Sequence, residues 1–267
     1  MGKIFWNDET ALADAGEDID VLAIGDSWFH YPFNNLVTPL HAALERPTMF
    51  VLGECGARAD ELGNGYWLDR FRRLLNVHSN VRLVCISAGG NDFAGLGDLD
   101  AKILRGDCSG AGDVGACYRP GAPDDVFEDV KAALRALLGT VSDVDASMPV
   151  LLHNYDYAIP DGRTIAAIPC WLKLPMDNCR VPAEGTPRQG LRRDLVRDLI
   201  DRYTLCVDAL ADEVQRDAEL ARPHLVWSAG TLRDDEWANE LHPTPGGFRR
   251  LVRDAWSGPA RAALNLP

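Results

Sequence analysis

The chain has 267 residues, enough for one large domain or two small ones with a substantial core, and its 46% hydrophobic and 25% charged content is ordinary for a globular protein. Its 27 Lys and Arg stand against 40 Asp and Glu, a net charge of −13, which speaks against nucleic acid or an anionic membrane surface as partner. No apolar run approaches the roughly 20 residues that span a bilayer, and the opening stretch lacks the pattern of a secretion signal. The expectation is a cytoplasmic protein, although a mature secreted chain would read the same way.

Five short apolar runs punctuate the chain: "DVLAIG" (20–25), "TMFVLG" (48–53), "VRLVCIS" (81–87), "MPVLLHN" (148–154) and "HLVWSAG" (224–230). Near-continuous Val, Ile and Leu predict strands buried on both faces. Helical patterns separate them. Thr38 as N-cap and Pro39 at the first helical position predict a helix to about Arg46. Asp60 to Leu75 is helical in pattern but interrupted by "GNG" at 63–65. Asp125 and Glu128 resemble a capping box, with Val126, Val130, Leu134 and Leu137 following at helical spacing. The longest helix is expected from Leu191 to Glu219, and Thr244-Pro245 opens the last.

Strands alternating with helices predict one three-layer α/β domain around a parallel, five-stranded sheet. Two segments break the rhythm, a Gly- and Asp-rich stretch at 93–125 and a Pro-rich one at 156–190. Loops of that length are commonly lids or binding loops. Of the seven cysteines, Cys108 with Cys117 and Cys170 with Cys179 could each close a short disulfide loop; free thiols are the equal alternative. The cysteine and histidine spacings give a metal site little support.

In open parallel sheets, ligands bind beyond the carboxyl ends of the strands. Ser27, in "AIGDSWFHYP", sits at such an end. So do Gly53 and Gly56 after the second run, Asn91 and Asp92 after the third, and the segment leading to His242 after the fifth. A serine needs a base to become a nucleophile, and histidine is the usual one near neutral pH. The N–H groups of Ser27 and of the "GECGA" turn, with the Asn91 amide, would supply donors for an oxyanion. Taken alone, Ser27 is as readily a turn residue, Asn91 a turn former and Asp26 or Asp92 a structural brace. Trp28, Phe29 and Tyr31 either pack the first helix or line a substrate pocket.

The blocks "IGDSWF", "GECGARADEL", "SAGGNDFAG" and "NELHPTPGGF", in that order, resemble the SGNH (GDSL-type) hydrolases, a superfamily of esterases, lipases and carbohydrate acetyl esterases. The resemblance implies a flavodoxin-like sheet, no metal and no cofactor. It implies Ser27 as nucleophile, His242 as base, and Gly56 and Asn91 as oxyanion donors beside the Ser27 N–H, with Gly53 competing for the glycine place. The substrate implied is a small-molecule or lipid-like ester, or a sugar O-acetyl group; an acyltransferase would use the same residues, and the alternative from another class is a non-catalytic binding module that retains the fold. One departure stands out. The family carries an acid three residues before the histidine, where this chain has Asn239. Asn239 is the first candidate for orienting the ring and Asp235 the second, with Asp234 and Glu240 also within sequence reach. Nothing in the sequence sets an oligomeric state.

Overall fold

The computed structural model describes residues 2–32, 34–164, 170–183, 190–216 and 220–267. All five apolar runs form strands, and a sixth precedes them: β1 (Ile4–Trp6), β2 (Val21–Gly25), β3 (Met49–Gly53), β4 (Leu83–Ser87), β5 (Val150–Asn154) and β6 (Pro223–Trp227). They make one parallel sheet in the order β1-β3-β2-β4-β5-β6. The expected count of five is therefore corrected to six. Three residues, alternately half-buried, buried and exposed, carry too little apolar signal to stand out, and β1 exists because Phe5 falls in register with Phe50. The four inner strands are buried at every position, as a sheet covered on both faces requires, whereas β6 is half-exposed and begins with a proline that an edge tolerates.

Helices cover the two faces: α1 (Glu9–Ala15), α2 (Ser27–His30), α3 (Val37–Ala43), α4 (Ala59–Leu62), α5 (Gly65–Val77), α6 (Gly90–Ala94), α7 (Asp124–Asp145), α8 (Lys173–Asn178), α9 (Leu191–Arg216), α10 (Pro245–Leu251) and α11 (Ser257–Ala263). The "GNG" interruption separates α4 from α5, where Asn64 caps the Gly65 N–H. Thr244 caps α10 as expected, accepting from the Gly247 N–H at 3.0 Å. Two expected caps differ. α3 starts before Thr38, whose N–H and hydroxyl instead bind the Asn35 side chain. α7 starts at Asp124 without a side-chain cap. The expected end of α9 at Glu219 lies outside the described residues.

The two irregular segments pack against each other. Residues 93–125 fold back through a Leu104–Tyr118 bridge, and the Cys108 N–H donates to the Cys179 carbonyl at 2.7 Å. That contact places Cys179 beside Cys108 rather than beside Cys170. The Cys108 thiol lies against the carbonyls of Arg105 and Cys117. All seven cysteines are free, so neither expected disulfide is formed. No helix among the described residues is long and apolar enough to cross a membrane.

Candidate active site

Each candidate residue follows a strand. β2 runs into Asp26, which caps the four-residue α2 by accepting from the Trp28 N–H at 3.0 Å and so starts the helix at Ser27. β3 ends at Gly53, where φ is 118° and a Cβ would stand 1.9 Å from the Gly25 carbonyl oxygen. Gly53 is thus pressed between strands. Gly56, at φ 87°, has open space where a Cβ would be and lines the cleft with Ser27 and Asn91, so of the two glycines it is the one facing solvent. β4 leads through Gly89 to Asn91 at the start of α6.

The loop after β6 brings His242 to Ser27, 215 positions away in sequence. The Nε2–Oγ distance is 2.8 Å. Asn239 lies behind the ring. Its Oδ1 accepts the backbone N–H groups of Leu241 (2.9 Å) and His242 (2.8 Å) and faces His242 Nδ1 at 3.0 Å. Two backbone donors face only an oxygen, which fixes the amide orientation. Nδ1 therefore carries the ring proton, and Nε2 is bare and accepts the Ser27 hydroxyl. Tyr31 braces both groups. Its ring stacks on the imidazole at 4.0 Å and 3°, and its hydroxyl accepts from Asn239 Nδ2 at 3.2 Å.

Burial without a nearby carboxylate pushes the His242 pKa down to about 4, so the ring is neutral at pH 7. The acids near it in sequence serve elsewhere. Asp235 pairs with Arg233 at the surface and Asp234 with Arg193. Glu240 accepts the N–H groups of Gly162, Leu172 and Lys173, anchoring the second insertion. Asp235 as orienting residue is therefore corrected, because it points into solvent.

Ser27, Gly56 and Asn91, each with an N–H to offer, line the same cleft. The first N–H of a helix has no intrahelical acceptor, and neither the Ser27 nor the Gly56 N–H meets one among the described residues. Asn91 Nδ2 gives one proton to the Ala57 carbonyl at 3.0 Å, and its other N–H has no partner among the described residues.

The aromatic candidates divide. Trp28 donates Nε1–H to the Leu241 carbonyl at 3.1 Å and walls an apolar cavity beside Ser27. Tyr31 lines the open cleft. Phe29 is fully buried between His153 and Trp256 and touches neither cavity, which corrects its reading as a substrate contact. Successive helical residues turn by about 100°, so Trp28 and Phe29 face different sides.

Behind the serine turn lies a second polar set. Asp26 accepts from Tyr155 Oη at 2.6 Å and lies 3.0 Å from Ser87 Oγ, which lies 2.9 Å from His153 Nε2. His153 Nδ1 must be protonated, because it faces the Asn154 carbonyl. The single Ser87 hydroxyl proton therefore lies between two acceptors, the Asp26 carboxyl and His153 Nε2. Burial raises Asp26 to about 6 and lowers His153 to about 3, so the His153 ring stays neutral at pH 7. Asp92 accepts the Ala59 N–H and holds the start of α4.

A profile of the GDSL-like Lipase/Acylhydrolase family matches residues 23–250. The chain belongs to that family. No curated protein matches it in sequence. Among solved structures, a carbohydrate esterase family 3 protein from Talaromyces cellulolyticus is 10% identical, covering 93% of this chain and 100% of its own, with a TM-score of 0.51. A GDSL-like lipase from Bacteroides thetaiotaomicron is 14% identical over 96% and 95% (TM-score 0.47), and an aryl esterase from M. smegmatis 12% identical over 92% and 96% (TM-score 0.47). At 10% identity the likeness to the Talaromyces protein is one of fold. Membership of the GDSL family supports a hydrolase acting on esters. Sequence reasoning gave no individual role to three features that border this GDSL-family site. Trp171 meets the His242 ring edge-on at 5.8 Å, Trp237 lines the apolar cavity, and so does one stripe of α9. Only Trp171 left a trace, as an apolar residue in an otherwise Pro-rich insertion.

Proposed function

We propose that this GDSL-family chain hydrolyses a carboxylic ester through an acyl-enzyme. The Ser27 hydroxyl attacks the ester carbonyl while its proton passes to His242 Nε2, forming the Oγ–C bond. The N–H groups of Ser27 and Gly56 and the Asn91 amide receive the oxyanion, each such donor being worth about 3 kcal/mol of barrier. The proton on Nε2 then goes to the alcohol oxygen as the C–O bond breaks. Water, deprotonated by the same nitrogen, releases the acid and restores the serine. Asn239 keeps the proton on Nδ1, so Nε2 is available as the base throughout. A neutral amide stabilises the transient imidazolium less than a carboxylate would, and the stacked Tyr31 ring supplies part of the difference through its π face.

The observation that carries this reading is the 2.8 Å approach of a bare imidazole nitrogen to the Ser27 hydroxyl, with the ring's other nitrogen held by Asn239. The partner is a small-molecule or lipid-like ester. A small fluorophosphonate should label Ser27 and no other residue, and the label should vanish in Ser27→Ala. Folded protein that stays unlabelled between pH 6 and 9 would refute the reading.

A further inference from the structure

Two cavities share Ser27, and they differ in size, lining and neighbours. The larger, about 720 Å³, is an open cleft that includes Gly56, Tyr31, Trp171 and His242, with Arg58 and Asp98 at its rim. The smaller, about 40 Å³, lies under Trp28, Phe93, Leu172, Leu199, Ile200 and Trp237. Only Ser27, Asn91 and Leu241 border both.

The chemistry assigns each half of an ester to one side. After attack, the carbonyl carbon bears Ser27 Oγ, the oxyanion, the alcohol oxygen and the acyl chain. The alcohol oxygen must take its proton from His242, so the alcohol lies in the cavity that contains His242. The acyl chain is left the other cavity, which touches Ser27 and Asn91 but not the base. On this volume scale one water needs about 10–15 Å³, so 40 Å³ admits about three heavy atoms beyond the carbonyl carbon. The two carboxyl groups on its wall are already engaged. Asp26 is held by Trp28, Ser87 and Tyr155, and Asp156 accepts the N–H groups of Tyr157, Gly230 and Leu232. Neither is left over for a polar or charged acyl chain, which beyond Ser27 and Asn91 would meet a mainly apolar wall.

We infer that the smaller cavity against α9 is the acyl site and that the substrates are esters joining a short, uncharged acyl group, of about two to four carbons, to a bulky alcohol seated in the larger cleft. The inference rests on the serine-hydrolase reading above. Leu199 and Ile200 form the floor that sets chain length, and Ala158 borders the same cavity.

The test uses the purified full chain, with kcat/KM for p-nitrophenyl acetate, butyrate, hexanoate and octanoate, and fluorophosphonate labelling of Ser27 in parallel. The expected profile is level to butyrate and at least about 10-fold lower at octanoate. Leu199→Ala and Ile200→Ala should raise the octanoate-to-acetate ratio. Ala158→Leu, which removes no core volume, should lower the butyrate-to-acetate ratio. Labelled Ser27 with octanoate turned over as well as acetate, or folded variants that leave every ratio unchanged, would overturn the acyl assignment alone. An unlabelled Ser27 with no turnover of any ester would overturn both readings.

Discussion

Two imidazole–hydroxyl pairs stand close together in this fold, and only one has the surroundings of a reactive site. In the first, His242 Nε2 is 2.8 Å from Ser27 Oγ; in the second, His153 Nε2 is 2.9 Å from Ser87 Oγ. Both rings have their Nδ1 fixed by an oxygen acceptor, and both have pKa values lowered by burial. They differ in what surrounds the hydroxyl. Ser27 keeps 8% of its surface exposed, borders two cavities and has N–H donors without acceptors around it. Ser87 is fully buried, and its proton is claimed by Asp26 as well as by His153. A serine near a histidine is therefore not a nucleophile by geometry alone. On the proposed reading, access and unsatisfied donors make the difference, while the inner pair is tied through Asp26 to the turn before Ser27.

The contrast can be broken most directly at the two serines. Ser27→Ala should lower kcat by about 10⁴-fold or more while the melting temperature stays near that of the parent. An active Ser27→Ala protein would collapse the distinction. Next in size, Asn91→Ala should cost about 10²–10³-fold in kcat with little change in KM, because the lost donor acts on the oxyanion. A pure KM effect would remove Asn91 from that role. Ser87→Ala should act in the opposite sense. It should retain fluorophosphonate labelling at Ser27 and lose about 1–3 kcal/mol of stability in urea unfolding, since Asp26 and His153 are left without their shared partner. Loss of labelling in folded Ser87→Ala would show that the inner pair takes part in the chemistry.

The pH profile sharpens the comparison further. A lowered pKa means that His242 stays neutral, and able to act as base, until the pH falls through about 4. kcat/KM should therefore hold level from neutrality to about pH 5 and decline below it. In Asn239→Asp the new carboxylate favours the imidazolium, so the acid limb should move toward neutral pH. A limb near 6.5 in the parent, or one that does not move in the variant, would contradict the environment assigned to this ring. The smallest effect is expected from Tyr31→Phe. It keeps the stacked ring and removes one acceptor of the Asn239 amide, which should raise the barrier by about 0.5–1 kcal/mol as read from kcat.

Much of this arrangement was legible along the chain, for a local reason. Each inner strand is a run of apolar residues long enough to be buried on both faces, and each ends in small or polar residues that a strand terminus needs. Ser27, Asn91 and His242 could be placed at one sheet edge from that pattern alone. The illegible parts depended on partners distant in sequence. β1 exists only because β3 offers it an edge in register. Gly56 could not be told from Gly53 until Gly25 was seen to press on one and not the other. Asp235, Glu240 and Asn239 lie within six positions of one another, and which of them reaches the ring is decided by how residues 237–243 fold back. The cysteine pairs nine apart looked bridgeable until the two insertions paired with each other and set Cys179 beside Cys108.

By itself the amino-acid order determined a parallel α/β sheet, its helices and the residue types gathered at the carboxyl edge, because burial and turn formation act over a few neighbouring positions. Tertiary packing alone decided which amide orients His242, that Trp28 faces the cavity while Phe29 faces the core, and that α9 closes the space beside Ser27. Those outcomes turn on side-chain direction and on contacts between elements up to some two hundred residues apart, and no local pattern encodes them.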